Sequence, residues 1–384
     1  MTIPADDKSG QTLGVRPRRI VEGLAPYVPG RSAAEVQQVY SLDAVVKLAS
    51  NENPFGPSPL AVAAAMAAVS GVNAYPDGAA TALRDRLSAL YGRERANIVV
   101  GNGSDEIILL LALAYIEPGD EAVLAAPPYA IHRRSVLTVG GTPIAVPLRH
   151  NVHDLDAMDA AMTERTRLVF VANPHNPTGT VVSRAALRAF AARVPAAALL
   201  VVDEAYHDYV DADLRFTAAD FLAEFPNVVT LRTFSKAHGL AGLRAGYGVV
   251  HPAVAATLDR IRPPFGLNAV AQAAALAALD DTAHVAHTVE ATRVGRARLK
   301  RVAEAHGLTV VPSQANFMLL RVGDSMAVCE ALLRRGLIVR PGENLGVPGW
   351  IRVSVGTDDD MERFGTALAA VLVERAASLA APSM

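Results

Sequence analysis

From about residue 58 the chain repeats one pattern: a short run of Val, Leu or Ile, a turn of Gly, Pro or Asn, and an alanine-rich stretch with helical periodicity. The apolar runs fall at residues 98–100, 122–125, 168–172, 199–202, 228–232 and 245–250. They are nearly continuous in apolar character, as strands covered on both faces of a largely parallel sheet must be. Residues 105–116, 155–162, 184–193 and 269–279 read as helices between them. This alternation predicts an α/β fold, a three-layer αβα domain with a mostly parallel sheet. Ligands are then expected beyond the carboxyl ends of the strands.

The texture changes near residue 280. An arginine-rich helix over 283–306 leads to strands at 309–311, 316–321, 337–340 and 351–355, with a helix near 326–335. That order predicts a smaller α+β domain. The expected division is an N-terminal arm (1–20), a large domain (50–280), and a small domain built from 21–49 together with 281–384.

Composition removes several functional classes. Hydrophobic residues make up 51% and charged residues 19%, which excludes extensive disorder. No apolar run approaches the roughly 20 residues of a bilayer span, and the N-terminus, with Asp6, Asp7 and Lys8, lacks the apolar core of a secretory signal. The single cysteine, Cys329, excludes a disulfide framework and a cysteine-based metal cluster. A net charge of −2 argues against a nucleic-acid-coating surface. The expectation is a soluble cytoplasmic protein without a membrane or nucleic-acid partner.

Of 36 basic residues only Lys8, Lys47, Lys236 and Lys300 are lysines. A lysine set among small residues therefore stands out, because a primary amine can lose its proton and attack a carbonyl whereas a guanidinium cannot. Lys236 lies in such a setting, Thr233-Phe234-Ser235-Lys236-Ala237-His238-Gly239, with Arg244 close behind. Four more clusters follow predicted strands. Gly101-Asn102-Gly103-Ser104-Asp105 suits an anion at a helix N-terminus or a plain helix cap. Asn173-Pro174-His175-Asn176-Pro177 offers amide donors or an ordinary turn. Asp203 ends an apolar run and needs a cationic partner or a proton, whereas His207 beside Asp208 reads as surface. Arg352 in Trp350-Ile351-Arg352, with Arg340 ahead of it, suits an anionic substrate or a structural ion pair.

Two anion-binding corners, a buried acid, an amine and a substrate arginine together match pyridoxal 5'-phosphate chemistry. In that reading Lys236 holds the aldehyde as a Schiff base and later carries the proton between substrate and cofactor. Asp203 pairs with the pyridine nitrogen, and Asn176 and Tyr206 hydrogen-bond the ring oxygen.

The same residues give the chain a family resemblance. Leu24-Ala25-Pro26-Tyr27, Lys47-Leu48-Ala49-Ser50-Asn51-Glu52-Asn53-Pro54, Tyr75-Pro76-Asp77, the five clusters and Ile351-Arg352-Val353-Ser354 occur in order. With them the chain resembles fold-type I aminotransferases, and within these the histidinol-phosphate aminotransferase family, close to the branch that acts on aromatic amino acids. The resemblance implies that Gly103, Ser104, Asp105, Ser235 and Arg244 receive the cofactor phosphate, with Tyr75 reaching over from the other subunit of a homodimer. It implies that Tyr129 stacks on the cofactor ring and that Tyr27, Asn53, Arg340 and Arg352 receive the substrate. The implied reaction is a ping-pong exchange, histidinol phosphate and 2-oxoglutarate giving imidazole-acetol phosphate and glutamate. An aromatic amino-acid aminotransferase is the alternative, and a non-catalytic regulator with an aminotransferase-like domain is a more distant one. His132, His175 and His238 depart from the family's usual residues. His132 and His238 predict a reshaped substrate pocket, or else all three are tolerated loop variation.

Overall fold

The structure, a computed structural model, describes residues 15–26 and 30–380. Seven strands form one sheet in the order Ile98–Gly101, Gly246–Val249, Val228–Thr233, Leu199–Asp203, Thr166–Ala172, Glu121–Ala126 and Thr142–Pro147. The last five run parallel, and Gly246–Val249 is antiparallel to both of its neighbours. Alternate side chains of a strand enter different cores. Leu168, Phe170, Leu199 and Val201 pack with Ile107, Leu111 and Val136 on one face. Val169, Val171, Leu200 and Val202 pack with Leu187 and Phe190 on the other. Burial on both faces is why these strands read as unbroken apolar runs.

Every predicted strand of this sheet is present to within two residues at either end. Thr142–Pro147 was not among them. It is the edge strand, largely open to solvent, and its two prolines interrupt the apolar pattern; an edge tolerates their missing N–H groups. Helices Pro59–Val69, Thr81–Tyr91 and Ala130–Val139 also went unpredicted. The last carries the polar run His132-Arg133-Arg134 near its start, which masks its buried face of His132, Ser135, Val136 and Val139.

A second sheet, antiparallel, has the order Arg340–Pro341, Trp350–Ser354, Phe317–Arg321 and Val310–Val311. Leu299, Leu332, Phe364 and Leu368 of helices Thr282–Ala305, Ser325–Leu333 and Asp358–Ala380 pack on it. The N-terminal segment joins this half through Val46–Lys47, which pairs in parallel with Leu337–Ile338. Of the expected arm, residues 1–14 lie outside the described residues, and its end enters the short helix Arg19–Glu22. Among the described residues no helix is long and apolar enough to cross a membrane.

Candidate active site

A cavity of about 1180 Å³ opens at the carboxyl ends of the parallel strands, bounded on its far side by the antiparallel sheet. Lys236 stands in its wall, three residues beyond strand Val228–Thr233. The loop is held by its own hydroxyls: Thr233 Oγ1 accepts from Ser235 N at 3.1 Å and donates to Ser235 Oγ at 2.9 Å. Lys236 Nζ donates to Ser50 O at 3.3 Å and lies 5.6 Å from the centre of the Tyr206 ring. Burial, assisted by the Arg352 charge, pushes its ammonium down to about 8, so a free amine is accessible near neutral pH.

Asp203 ends its strand at the cavity, 4% exposed. Its Oδ1 accepts from Ala205 N at 3.1 Å, and its Oδ2 lies 3.1 Å from His132 Nε2. A carboxylate can only accept here, so His132 is the donor. Its ring is fixed by stacking on Phe170, with centroids 4.6 Å apart. His132, expected either to reshape the pocket or to be tolerated loop variation, does neither: it does not line the cavity and instead holds Asp203. None of His132, His175 and His238 lines the cavity. His175 is locked in its loop, Nδ1 2.9 Å from Thr178 Oγ1 and Nε2 3.1 Å from Pro127 O.

At one end of the cavity, helix Ser104–Tyr115 begins with no side-chain cap, so its first N–H groups point outward with the favourable end of the helix dipole. Gly103 precedes it at φ +85°, and a Cβ there would stand 2.6 Å from Arg244 Nη2. Arg244 meets Asp105 Oδ2 at 3.3 Å and Ser235 Oγ at 3.5 Å, while Tyr129 donates to Asp105 Oδ1 at 3.0 Å. At the other end, Arg340 and Arg352 face each other as cross-strand partners and both line the cavity. Arg352 donates to Asn176 Oδ1 at 2.7 Å and to Ala49 O at 2.8 Å. Two guanidiniums lining one cavity suit an anionic group of a substrate.

Chemically, the cavity offers an amine, an acid held by a histidine, and a cationic cradle at each end. The family described as aminotransferase class I and II matches residues 43–368. The chain belongs to this family. Histidinol-phosphate aminotransferases of Moorella thermoacetica and Symbiobacterium thermophilum are both 46% identical to it. They cover 92% and 93% of this chain and 92% and 99% of their own. The crystal structure of histidinol-phosphate aminotransferase from Sinorhizobium meliloti in complex with pyridoxal-5'-phosphate superposes with a TM-score of 0.87. It is 30% identical and covers 94% of this chain and 98% of its own. Aspartate aminotransferase from Thermus thermophilus, in its single mutant 1 form, reaches a TM-score of 0.81 at 25% identity, over 92% of this chain and 100% of its own.

The aminotransferase's residues suit pyridoxal 5'-phosphate. The uncapped helix start, Ser104, Ser235 and Arg244 form a donor set for a phosphate, and the absence of a side chain at Gly103 leaves room for the Arg244 guanidinium. Asp203 and Lys236 supply an acid and an amine in the same cavity.

Of the residues singled out in the sequence, Ser104, Asp105, Tyr129, Asn176, Asp203, Tyr206, Ser235, Lys236, Arg244, Arg340 and Arg352 share this cavity. Among the described residues, Gly103, Asn53 and Tyr75 do not line it. Asn53 is turned away, its Nδ2 donating to Ala237 O at 3.1 Å and to Thr288 Oγ1 at 3.3 Å. Tyr75 is 83% exposed and stacks on Phe265. Tyr27 lies outside the described residues.

The reading of His207 as surface is corrected. Its side chain is 15% exposed and lies 3.5 Å from Glu204 Oε2, beside the buried pair Arg232–Asp208 at 2.7 Å. Burial and the Arg232 charge push His207 down to about 3. A residue that sequence reasoning missed is Asn51. It lines the cavity two positions before Asn53, and its place after Ala49 and Ser50 in the quoted motif was the available signal.

Proposed function

We propose that the protein transfers the amino group of histidinol phosphate to 2-oxoglutarate, giving imidazole-acetol phosphate and glutamate, with pyridoxal 5'-phosphate as cofactor. The observation that carries the reading is the Arg340–Arg352 pair lining the same cavity as Lys236. A planar guanidinium accepts a phosphate or a carboxylate in the same bidentate way. One pair can thus serve the phosphomethyl end of histidinol phosphate and a carboxylate of glutamate in turn. The relatives named histidinol-phosphate aminotransferase support that choice of substrate.

When bound, the cofactor supplies an electron-withdrawing ring that stabilises negative charge at the substrate's reacting carbon. The chain's residues do the rest. Ser104, Ser235 and Arg244 would hold the phosphate, Tyr129 would cover a ring face, and Tyr206 and Asn176 would meet the ring oxygen. Asp203, kept in place by His132 and the Ala205 N–H, would hold a proton at the pyridine nitrogen. Lys236 Nζ would bond the cofactor and, once displaced, take and return the substrate proton, a task its lowered pKa suits. Tyr75, exposed beside Phe265, would reach a neighbouring subunit's phosphate site in a cytoplasmic homodimer. Residues 50–280 would act as the cofactor-binding domain, with 21–49 and 281–384 as the smaller domain.

The test compares kcat/KM for histidinol phosphate and phenylalanine on purified holoenzyme, with glutamate formation followed, and maps the peptide labelled after borohydride reduction. Histidinol phosphate should win by at least about a hundredfold, with the label on Lys236. A preference for phenylalanine refutes the substrate; a label elsewhere refutes the role of Lys236.

A further inference from the structure

Asn51 is 2% exposed, has a left-handed backbone (φ +56°) and lines the cavity, and each of its polar groups is engaged. Its N–H donates to Ser354 Oγ at 2.9 Å, and its carbonyl accepts from Asn316 Nδ2 at 3.0 Å. Its Oδ1 accepts from Ser354 Oγ at 2.9 Å, and its Nδ2 donates to the Tyr206 hydroxyl at 3.0 Å. Ser354 fixes which way the amide points. Its hydroxyl accepts the Asn51 N–H and donates its own proton to Oδ1. That leaves Nδ2, and not Oδ1, facing Tyr206.

The consequence falls on the Tyr206 proton. A phenol has one proton to give. Asn51 Nδ2 donates to its oxygen, and Asn176 Nδ2 approaches the same oxygen at 3.5 Å. Neither neighbour is an acceptor, because Asn176 Oδ1 is held by Arg352. Burial pushes the phenol's pKa up, so the proton stays on. Among the described residues neither amide takes that proton, and it is available to an acceptor in the cavity.

We propose that Asn51 is a positioning residue, which by donating to the Tyr206 oxygen turns the Tyr206 proton toward the ring oxygen of the bound cofactor. This rests on the reading of Tyr206 as the ring-oxygen partner. A hydroxyl donating to that oxygen stabilises its negative charge and weakens its hold on the neighbouring proton. Losing the donation raises the pH at which the cofactor's visible band changes.

The experiment measures that midpoint by absorbance, together with the cofactor dissociation constant, on holoenzymes of the wild type and of Asn51→Gly, Ser354→Ala, Tyr206→Phe and the Asn51→Gly/Tyr206→Phe double variant. Glycine accepts the left-handed backbone, and Ser354→Ala releases the amide to rotate without touching Asn51. Tyr206→Phe should raise the midpoint by about one unit, Asn51→Gly by a large part of that, and Ser354→Ala by less. In the Tyr206→Phe background, Asn51→Gly should add nothing. Unchanged midpoints in both Asn51→Gly and Ser354→Ala, with Tyr206→Phe shifted, overturn the inference. So does an equal Asn51→Gly shift in both backgrounds. No shift in Tyr206→Phe overturns the role of Tyr206 as well.

Discussion

Replacing Gly103 by alanine separates two effects that the structure places at one atom. At φ +85° and ψ 165° the backbone lies in a region that is essentially glycine's alone, so any side chain there costs about 1–3 kcal/mol of strain. The added Cβ would also stand 2.6 Å from Arg244 Nη2. The guanidinium tip can swing away cheaply, but in doing so it leaves the phosphate corner. A hydrogen bond from a charged group contributes about 1.5–3 kcal/mol, so cofactor affinity should fall roughly 10- to 100-fold. Urea unfolding of the apoenzyme reads the first effect, and titration of the apoenzyme with pyridoxal 5'-phosphate reads the second. Arg244→Ala should weaken affinity by a similar factor. In that background Gly103→Ala should cost less than about threefold more, because the displaced group is already gone. A folded Gly103→Ala enzyme that binds the cofactor as tightly as the wild type refutes the reasoning.

Arg340→Met should lower kcat/KM for histidinol phosphate and for 2-oxoglutarate together, by roughly 10- to 100-fold each. Steady-state kinetics with both substrates checks this, and a loss confined to one denies the pair a common role. Burial lowers His153 to about 4, so the native state refuses a proton that the unfolded chain takes up below its ordinary value near 6.5. Its contribution to stability is present above that value and lost as pH falls toward 4, in total about 3 kcal/mol. His153→Gln should flatten this part of the stability–pH curve, as read by urea unfolding between pH 4 and 7; an unchanged slope refutes the assignment.

The central strands and the cavity residues at their ends were legible because two-sided burial and loop chemistry both leave local marks. Leu168 to Ala172 is apolar without a break, and the hydroxyls around Lys236 are adjacent in sequence. What was not legible depends on contacts between distant segments. His132 meets Asp203 across 71 residues and Asn51 meets Tyr206 across 155, and neither pairing follows from local composition. Asn53 misled for a related reason. Two asparagines in one short motif differ only in which way the chain turns, and the left-handed residue is Asn51.

The opposed guanidiniums of Arg340 and Arg352 carry a cost of sharing. If a single clasp must hold an entering phosphate ester and then an entering keto acid, a tighter grip on one also slows the departure of the other. Neither reactant can then be favoured without handicapping its counterpart. An abundant metabolite of either kind would also crowd out its fellow by occupying the wrong form of the enzyme.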